Sequence, residues 1–159
     1  MIRDMQNKLI KDIVICDIDD TLSKVGKRLR YLNETPANWD KVFEHSSEDE
    51  PIEEICTLVC NLYLAGYTII FCTGRICDVQ EKTVNWIKKH VLENLNPRLL
   101  MRRTNDYRSD TEVKPELIVE HLTTDERKRI SFILDDRDSM VEKWRELGYI
   151  CLQVARGNY

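Results

Sequence analysis

Apolar and polar positions alternate along the chain in two different periods. Apolar segments of strand length occupy residues 13–16, 67–72, 98–101, 130–134 and 149–154. Most of them are continuous apolar runs, which are typical of buried parallel strands. Amphipathic segments between them predict helices over residues 51–65, 77–95, 115–122 and 138–147. Gly66 and Gly148 follow two of these helices as stop signals. The alternation predicts an α/β fold, with a Rossmann-like parallel sheet flanked by helices on both faces.

The length and composition fit one domain. The chain has 159 residues, of which 42% are hydrophobic and 33% are charged, which is enough for one core. Its formal net charge is −4, so a polyanionic partner would have to bind a local basic patch. No apolar run approaches the roughly 20 residues that span a bilayer, and the N-terminal segment lacks a signal peptide's apolar stretch. We therefore expect a cytoplasmic protein, whose six cysteines, without a CxxC pair, are mostly buried free thiols.

Two carboxylates follow the first predicted strand. Asp17 and Asp19 stand beyond residues 13–16, at the carboxyl end of the sheet, where open α/β folds place their sites. They are compatible with an Asx-rich turn. They also fit a chemical role, in which Asp17 attacks phosphorus and Asp19 acts as general acid and later activates water.

The second predicted strand ends in a hydroxyl, a glycine and a cation. Thr73, Gly74 and Arg75 follow its apolar residues, and Thr73 could simply cap a helix. Alternatively, the three form a cradle for a phosphoryl group. Thr73 would donate to an oxygen, Gly74 would allow close approach of the backbone, and Arg75 would bind the anion.

Charged residues near two later elements complete the pattern. Lys114 precedes Pro115 and the third predicted helix, and it could offset negative charge with Asp110 fixing its orientation. Asp135 and Asp136 end the strand at residues 130–134, where they could cap the next helix or bind Mg²⁺ through oxygen. The three histidines lack ligand spacing, which disfavours zinc.

In this order, the four signals resemble the signature of the haloacid-dehalogenase (HAD) superfamily of phosphotransferases. The resemblance implies a HAD-like fold in which Asp17 is the nucleophile, Asp19 the general acid and base, and Thr73 and Lys114 phosphate ligands. It also implies that Mg²⁺ is held by Asp17, by the backbone carbonyl of Asp19, and by Asp135 or Asp136. Superfamily dehalogenases and ion-pumping ATPases have no acid at the position of Asp19, so a phosphatase or phosphomutase is implied.

A closer resemblance is to the 3′-phosphatase domain of bacteriophage polynucleotide kinase-phosphatase, and it covers residues 11–159. Residues 1–10 would then be an N-terminal extension. The match rests on Arg28, Arg75 and Arg102, on the spacing of Asp110 and Lys114, and on residues 135–145 and 154–159. The substrate-binding residues that it implies are Thr21, Arg28, Gly74, Arg75, Arg102 and Asp110. Two departures are Asp20 in place of a common glycine, which adds negative charge beside the site, and Thr73 in place of serine.

The implied reaction is Mg²⁺-dependent removal of a terminal 3′-phosphate from DNA or RNA through an aspartyl-phosphate. Asp19 would be kept neutral by its charged surroundings so that it can protonate the leaving hydroxyl. The chain lacks a GxxxxGKS/T loop, so no kinase activity is expected of it. A separate kinase or ligase is a possible partner in nucleic-acid repair, in the host cytoplasm if the protein is phage-encoded.

The spacing between motifs leaves no room for a cap domain. The residues between Arg75 and the next strand predict one helix, and residues 23–50 could form a small flap. An open site suits a nucleic-acid end, with Tyr31 and Trp39 available to stack on a base.

Two basic runs support a polyanionic substrate. They comprise Lys24, Lys27, Arg28 and Arg30, and Arg102, Arg103 and Arg108. If both bind phosphates, activity on oligonucleotides should fall steeply with salt. The alternatives are a phosphatase for nucleoside monophosphates or metabolites, a phosphomutase, and an inactive domain that binds nucleic-acid ends.

Overall fold

A five-stranded parallel sheet forms the centre of the molecule, for which a computed structural model describes residues 10–36, 38–94 and 96–157. Its strands are β1 (Ile13–Cys16), β4 (Thr68–Ile76), β5 (Arg98–Arg102), β6 (Ile130–Arg137) and β7 (Cys151–Gly157). Two further strands, β2 (Ser23–Lys24) and β3 (Glu50–Pro51), form a separate two-stranded sheet. The sheet has the order β5-β4-β1-β6-β7, and all its neighbouring strands are parallel. Except for Ile10, the expected N-terminal extension lies outside the described residues, as do Asn158 and Tyr159.

Helices cover both faces of this sheet. They are α1 (Trp39–Glu44), α2 (Glu53–Leu64), α3 (Gln80–His90), α4 (Asp110–His121), α5 (Thr124–Lys128) and α6 (Asp138–Glu146). Apolar side chains of α4 and α6 pack on one face, and those of α2 and α3 pack on the other. The predicted α/β fold, flanked on both faces, is confirmed. In the described part of the chain, no helix is long and apolar enough to cross a membrane.

The two predicted glycine stops end their helices as expected. Gly66 has a φ of +93° and Gly148 a φ of +85°, a region that glycine enters without the steric cost of a Cβ. After α2, the N–H groups of Gly66 and Tyr67 donate to carbonyls of the last turn, at 2.9 and 3.0 Å. The same pattern follows α6, so both ends have the hydrogen bonds of a Schellman motif.

The third predicted helix begins earlier than the sequence indicated. α4 starts at Asp110, because Ser109 and Glu112 form a capping box that satisfies free N–H groups of the first turn. Pro115 therefore lies inside the helix rather than at its start. Lys114, predicted to precede the helix, projects from α4 and is 3% exposed.

Two other helix boundaries also differ from prediction. Pro51 was expected to begin a helix, but it belongs to β3, which pairs with Ser23 of β2 in antiparallel register. α2 starts only at Glu53. The helix expected over residues 77–95 is a 3₁₀ turn at Cys77–Val79 followed by α3, which ends at His90.

The segment between β2 and β3 is the small flap that the spacing allowed. It contains a 3₁₀ helix at Val25–Asn33, then α1, and a second 3₁₀ helix at His45–Glu48. We refer to residues 25–49 as the flap. Because β2 and β3 pair at its base, the flap is anchored beside the end of β1.

β4 and β6 extend past their predicted ends. β4 continues to Ile76, and its register with β5 shifts between Thr73 and Ile76. β6 continues to Arg137, and its register with β7 shifts after Asp135. Irregularities of this kind redirect side chains at a sheet edge, and here both lie at the carboxyl ends of the strands. All six cysteines are free, four of them buried, with Cys60 half-buried and Cys77 exposed.

Candidate active site

A buried ammonium group joins carboxylates from two strands. Asp17 follows β1 and is 5% exposed. Lys114 Nζ lies 2.8 Å from Asp17 Oδ1 and 3.2 Å from Asp135 Oδ2. Burial opposes the charge on Lys114, but Asp135 and Asp17 outweigh it and raise the pKa of the ammonium group. Lys114 is therefore a fixed cation that orients Asp17.

Three buried carboxylates form a cluster suited to a divalent cation. Oxygen atoms of Asp17, Asp135 and Asp136 all lie within 4.8 Å of one another. Trp144 Nε1 donates to Asp135 at 3.1 Å, and Thr21 Oγ1 donates to Asp136 at 3.3 Å. These bonds orient the carboxylates, and hard oxygen ligands of this number fit Mg²⁺, which retains several waters. The predicted metal acids thus meet in one place.

The electrostatics of this cluster favour a bound cation. Burial raises the pKa of Asp17, and although Lys114 opposes that effect, Asp135 and Asp136 add to it. Three ionised carboxyl groups at this separation repel one another in a medium of low polarity. A divalent cation would relieve that repulsion.

Asp19 lies beside two arginines. Arg75 Nε and Nη2 lie 2.9 and 2.6 Å from Asp19 Oδ1, and Arg28 Nη2 also donates to this oxygen. Burial favours the neutral carboxyl, but Arg75 and Arg28 outweigh it and lower the pKa of Asp19 well below its usual range. The expectation of a neutral Asp19 is therefore wrong for the protein without substrate, because its charged neighbours are cations.

Asp49 is a site residue that the sequence analysis missed. It ends the flap, is 6% exposed, and accepts hydrogen bonds from Arg28 Nε at 3.0 Å and Arg75 Nη2 at 3.1 Å. Ser23 Oγ also donates to it at 3.3 Å. Asp49 thereby holds both guanidinium groups beside Asp19. No local motif marks it, because its partners are 21 and 26 residues away.

Gly74 allows a close approach between β4 and α4. A Cβ at this position would lie 2.6 Å from Asp110 Oδ1, so a larger residue would displace that carboxylate. Asp110 accepts hydrogen bonds from Arg102 Nη2 and, at 2.9 Å, from Arg137 Nη1. Asp110 was expected to orient Lys114, but its described hydrogen bonds join it to these arginines instead.

These elements surround one cleft of about 570 Å³. The predicted residues that line it are Asp17, Asp19, Arg28, Gly74, Arg102, Asp110, Lys114 and Asp136. The other predicted site residues are fully buried behind the cleft: Thr21, Thr73, Arg75 and Asp135. Three of them form hydrogen bonds to lining residues, and the Oγ1 atom of Thr73 accepts from Arg75 N at 3.3 Å. The volume lies in the range of small-molecule sites.

Comparison with known proteins places this site in a family. The polynucleotide kinase PNKP phosphatase domain family matches residues 11–159. The chain belongs to this family. The match confirms the resemblance inferred from the motifs, and it shows that the chain is a HAD-type phosphatase domain.

Relatives of the phosphatase domain occur in larger proteins. A protein of Autographa californica nuclear polyhedrosis virus, whose name describes a bifunctional polynucleotide kinase/RNA ligase, is 27% identical over 137 residues. That alignment covers 84% of this chain and 18% of the viral protein. Two solved structures of Pnkp1/Rnl/Hen1 complexes, one described as an RNA repair complex, match with TM-scores of 0.76 and 0.73 at 30% identity. They cover 100% of this chain but 46% and 50% of the matched chains, so the chain spans at most half the length of these relatives.

The basic runs of this phosphatase domain are largely paired with acids. Lys27 lies 2.6 Å from Glu50, and Arg28 is buried between Asp19 and Asp49. In the second run, Arg103 pairs with Glu120, and Arg108 with Asp106 and Glu116. Arg102 donates to the carbonyls of Gly74, Asp106 and Arg108 as well as to Asp110. Most of these cations thus have protein partners, which leaves fewer of them for phosphates than the sequence suggested.

The two predicted stacking residues differ in their surroundings. Trp39 is 50% exposed and lines the cleft. Tyr31 is half-buried and already stacks on His45, with Arg30 and Lys41 over its ring. Trp39 is therefore the better placed of the two to contact a ligand in the cleft.

Proposed function

We propose that this phosphatase domain is a Mg²⁺-dependent polynucleotide 3′-phosphatase that works through an aspartyl-phosphate. The observation that carries the proposal is the buried Asp17, held by Lys114 beside Asp135 and Asp136 at the cleft. A carboxylate fixed by a lysine next to a metal-binding cluster is suited to attack a phosphomonoester.

Asp17, Asp135 and Asp136 would hold Mg²⁺, together with the main-chain carbonyl of Asp19. The bound ion would neutralise phosphate charge, which allows an anionic nucleophile to approach an anionic substrate. Lys114 adds a second positive charge to the same region and keeps Asp17 Oδ1 in place.

In the first step, Asp17 attacks phosphorus and the bond to the sugar oxygen breaks. Asp19 gives its proton to that oxygen, so the nucleic acid leaves with a hydroxyl end. Because Arg28 and Arg75 favour the ionised form of Asp19, Asp19 must first take up a proton, from water or from the phosphate monoester. It would do so when the bound phosphate shares the charge of both arginines. The same arginines would then stabilise the transferring group.

In the second step, water hydrolyses the aspartyl-phosphate. Asp19, now ionised, takes a proton from the attacking water. The pairing of Asp19 with both arginines in the protein without substrate resembles the state that this step needs. Inorganic phosphate leaves and Asp17 is regenerated.

A nucleic-acid substrate is supported by the family and by the shape of the site. The residues between β4 and β5 form a 3₁₀ turn and α3, and the flap and the loop between β5 and α4 border the cleft. The site is thus open to a long strand. The names of the relatives include polynucleotide kinase and RNA ligase, so we also propose that the chain acts with a kinase or ligase in end repair.

The proposal is tested with matched single-stranded oligonucleotides that carry a 3′- or a 5′-phosphate, with a nucleoside monophosphate for comparison. We expect Mg²⁺-dependent phosphate release from the 3′ end only. Turnover of the monophosphate with no release from either oligonucleotide end would favour a small-molecule phosphatase instead.

Asp17→Asn is the decisive variant and should abolish turnover. Asp125→Asn, an exposed acid in the first turn of α5, is its matched control and should retain wild-type activity. Retention of more than a few per cent of activity by Asp17→Asn would overturn the nucleophile assignment.

A further inference from the structure

The cleft has an apolar side whose residues have no role in the proposed phosphoryl transfer. The flap supplies most of it, and we call the following set the apolar lining: Val25, Leu29, Trp39, Val42, Phe43 and Ile76. Trp39 stacks on Phe43, with ring centroids 6.0 Å apart and planes at 28°. Trp39 nevertheless remains 50% exposed, although it lies next to a buried catalytic cluster.

A second exposed aromatic residue lines the same cleft. Tyr107 lies between β5 and α4 and is 84% exposed. Its hydroxyl is within 3.3 Å of Asn105 Oδ1, and its ring is open to solvent. Exposed aromatic rings beside a nucleic-acid site are typical platforms for unpaired bases.

The charges around the cleft argue against recognition through many backbone phosphates. Arg28 is engaged by Asp19 and Asp49, and Arg102 by Asp110 and loop carbonyls. Asp20, Asp40 and Asp78 also line the cleft. These acids would repel a strand held mainly by its phosphates, whereas they would not repel an uncharged base. The apolar lining and the paired charges therefore both favour contact with a base rather than with backbone phosphates.

We propose that the apolar lining is a subsite for the unpaired base of the substrate's terminal nucleotide, with Trp39 as its stacking residue and Tyr107 as a second contact. This inference rests on the proposed function. The phosphate would lie at Asp17 and the base against the flap, within one cleft of about 570 Å³. A base held in this way is unavailable for pairing, so single-stranded and 3′-overhanging ends are preferred over blunt duplex ends.

The first experiment removes the base from the substrate. A single-stranded oligonucleotide 3′-phosphate with a terminal adenine is compared with one whose terminal nucleotide is an abasic tetrahydrofuran. We expect kcat/KM to fall about tenfold for the abasic substrate, the scale of one base stack. Trp39→Leu, which keeps apolar bulk, should abolish the discrimination mainly by raising KM for the adenine substrate.

Tyr63→Leu is the matched control, since Tyr63 is an exposed aromatic residue on α2 (39% exposed) that does not line the cleft. It should leave the discrimination unchanged. Equal turnover of both substrates by the wild-type protein would overturn the subsite, while leaving the proposed 3′-phosphatase function intact.

The second experiment measures binding without turnover. Trp39 is 50% exposed, whereas Trp86 and Trp144 are 2% and 1% exposed, so a quench of tryptophan fluorescence by a stacked base reports on Trp39. In the Asp17→Asn background we expect the adenine oligonucleotide to quench more than the abasic one, and Trp39→Leu to remove the difference.

The binding measurement also separates the two proposals. Base-dependent quenching without any phosphate release by the wild-type protein would support the subsite but contradict the 3′-phosphatase function. Equal quenching by both oligonucleotides would contradict the subsite.

Discussion

The backbone at Asp20 accounts for the glycine that the family resemblance implies at this position. Asp20 has a φ of +54°, a left-handed conformation that costs most residues about 1–2 kcal/mol. Asparagine and aspartate tolerate it best, because their short side chains can hydrogen-bond locally. Here Asp20 Oδ1 accepts the N–H of Val25 at 2.9 Å, which fixes the turn that leads into the flap.

Substitutions at Asp20 should separate this backbone effect from the effect of its charge. Asp20→Asn keeps a side-chain acceptor and should unfold at nearly the wild-type temperature. Asp20→Ala should be less stable by about 1 kcal/mol, since alanine has no side-chain bond to offset the conformation. Thermal denaturation tests this order, and equal stability of the two variants would contradict it.

Because Asp20→Asn removes a negative charge from the cleft, KM for an oligonucleotide should also decrease.

The raised pKa of Asp17 predicts that its negative charge reduces stability when no metal is bound. A carboxyl whose pKa is raised by folding stabilises the folded protein most at low pH. That stabilisation is lost as the pH rises through the pKa of the folded state. Asp17→Asn should therefore melt at a higher temperature than the wild type in a chelator at about pH 8. The difference should shrink as the pH falls, because the wild-type Asp17 then takes up a proton.

Adding Mg²⁺ provides the control for this prediction. Binding to the folded state stabilises it by mass action, so Mg²⁺ should raise the melting temperature of the wild type more than that of Asp17→Asn. If Asp17→Asn melts below the wild type in chelator at high pH, the prediction is contradicted. The ion pair between Lys114 and Asp17 would then stabilise the fold more than the repulsion among the three carboxylates destabilises it.

At the scale of elements, the end of β7 determines where Asp136 can lie. A Cβ at Gly157 would overlap Asp136 Oδ2 and lie 2.8 Å from Arg137 Cα. Gly157→Ala should displace the carboxylate and weaken Mg²⁺ activation by about tenfold or more, the usual effect of disturbing a metal ligand's surroundings. Gly26→Ala is the control, because its Cβ would meet nothing within 4 Å. Titration of activity with Mg²⁺ tests the pair, and an unchanged requirement in Gly157→Ala would be the contrary result.

The strands were predictable from local pattern, whereas several helix boundaries were not. Runs such as residues 13–16 are buried on both faces of the sheet, so they are continuously apolar and stand out. The start of α4 depends on a capping box at Ser109, whereas Pro115 predicts a later start because proline favours the first turn of a helix. α1 has six residues and α5 has five, which is too short to display a helical period.

The site was predictable to the extent that it lies at strand ends. Asp17, Thr73 and Asp135 each follow an apolar run, and parallel strands bring such ends together. Contacts between distant residues were not predictable in detail: Lys114 meets Asp17 across 97 positions of sequence. The contacts of Asp49 form only when the flap folds against Arg75 of β4. The ion pairs of Arg103 and Arg108 likewise depend on Glu120 and Glu116, which α4 brings close to them.

At the scale of the whole molecule, the pairing of basic side chains predicts a weak dependence on salt. Each phosphate neutralised on a single strand contributes a slope of about −0.7 to the logarithm of affinity against that of salt. With one or two phosphates bound, we expect slopes of about −0.7 to −1.4. kcat/KM measured on one oligonucleotide across potassium chloride concentrations, at fixed Mg²⁺, tests this. A slope steeper than about −3 would restore the two basic runs as phosphate contacts.

In the mechanism that we propose, Asp17 takes the phosphoryl group from a 3′ end. The most direct test is rapid acid quenching of a single turnover with an oligonucleotide that carries a radiolabelled 3′-phosphate. We predict label that appears transiently on the protein, requires Mg²⁺, is released by hydroxylamine as expected for an acyl phosphate, and is absent from Asp17→Asn. Release of labelled phosphate without labelled protein, or label retained on Asp17→Asn, would contradict the account.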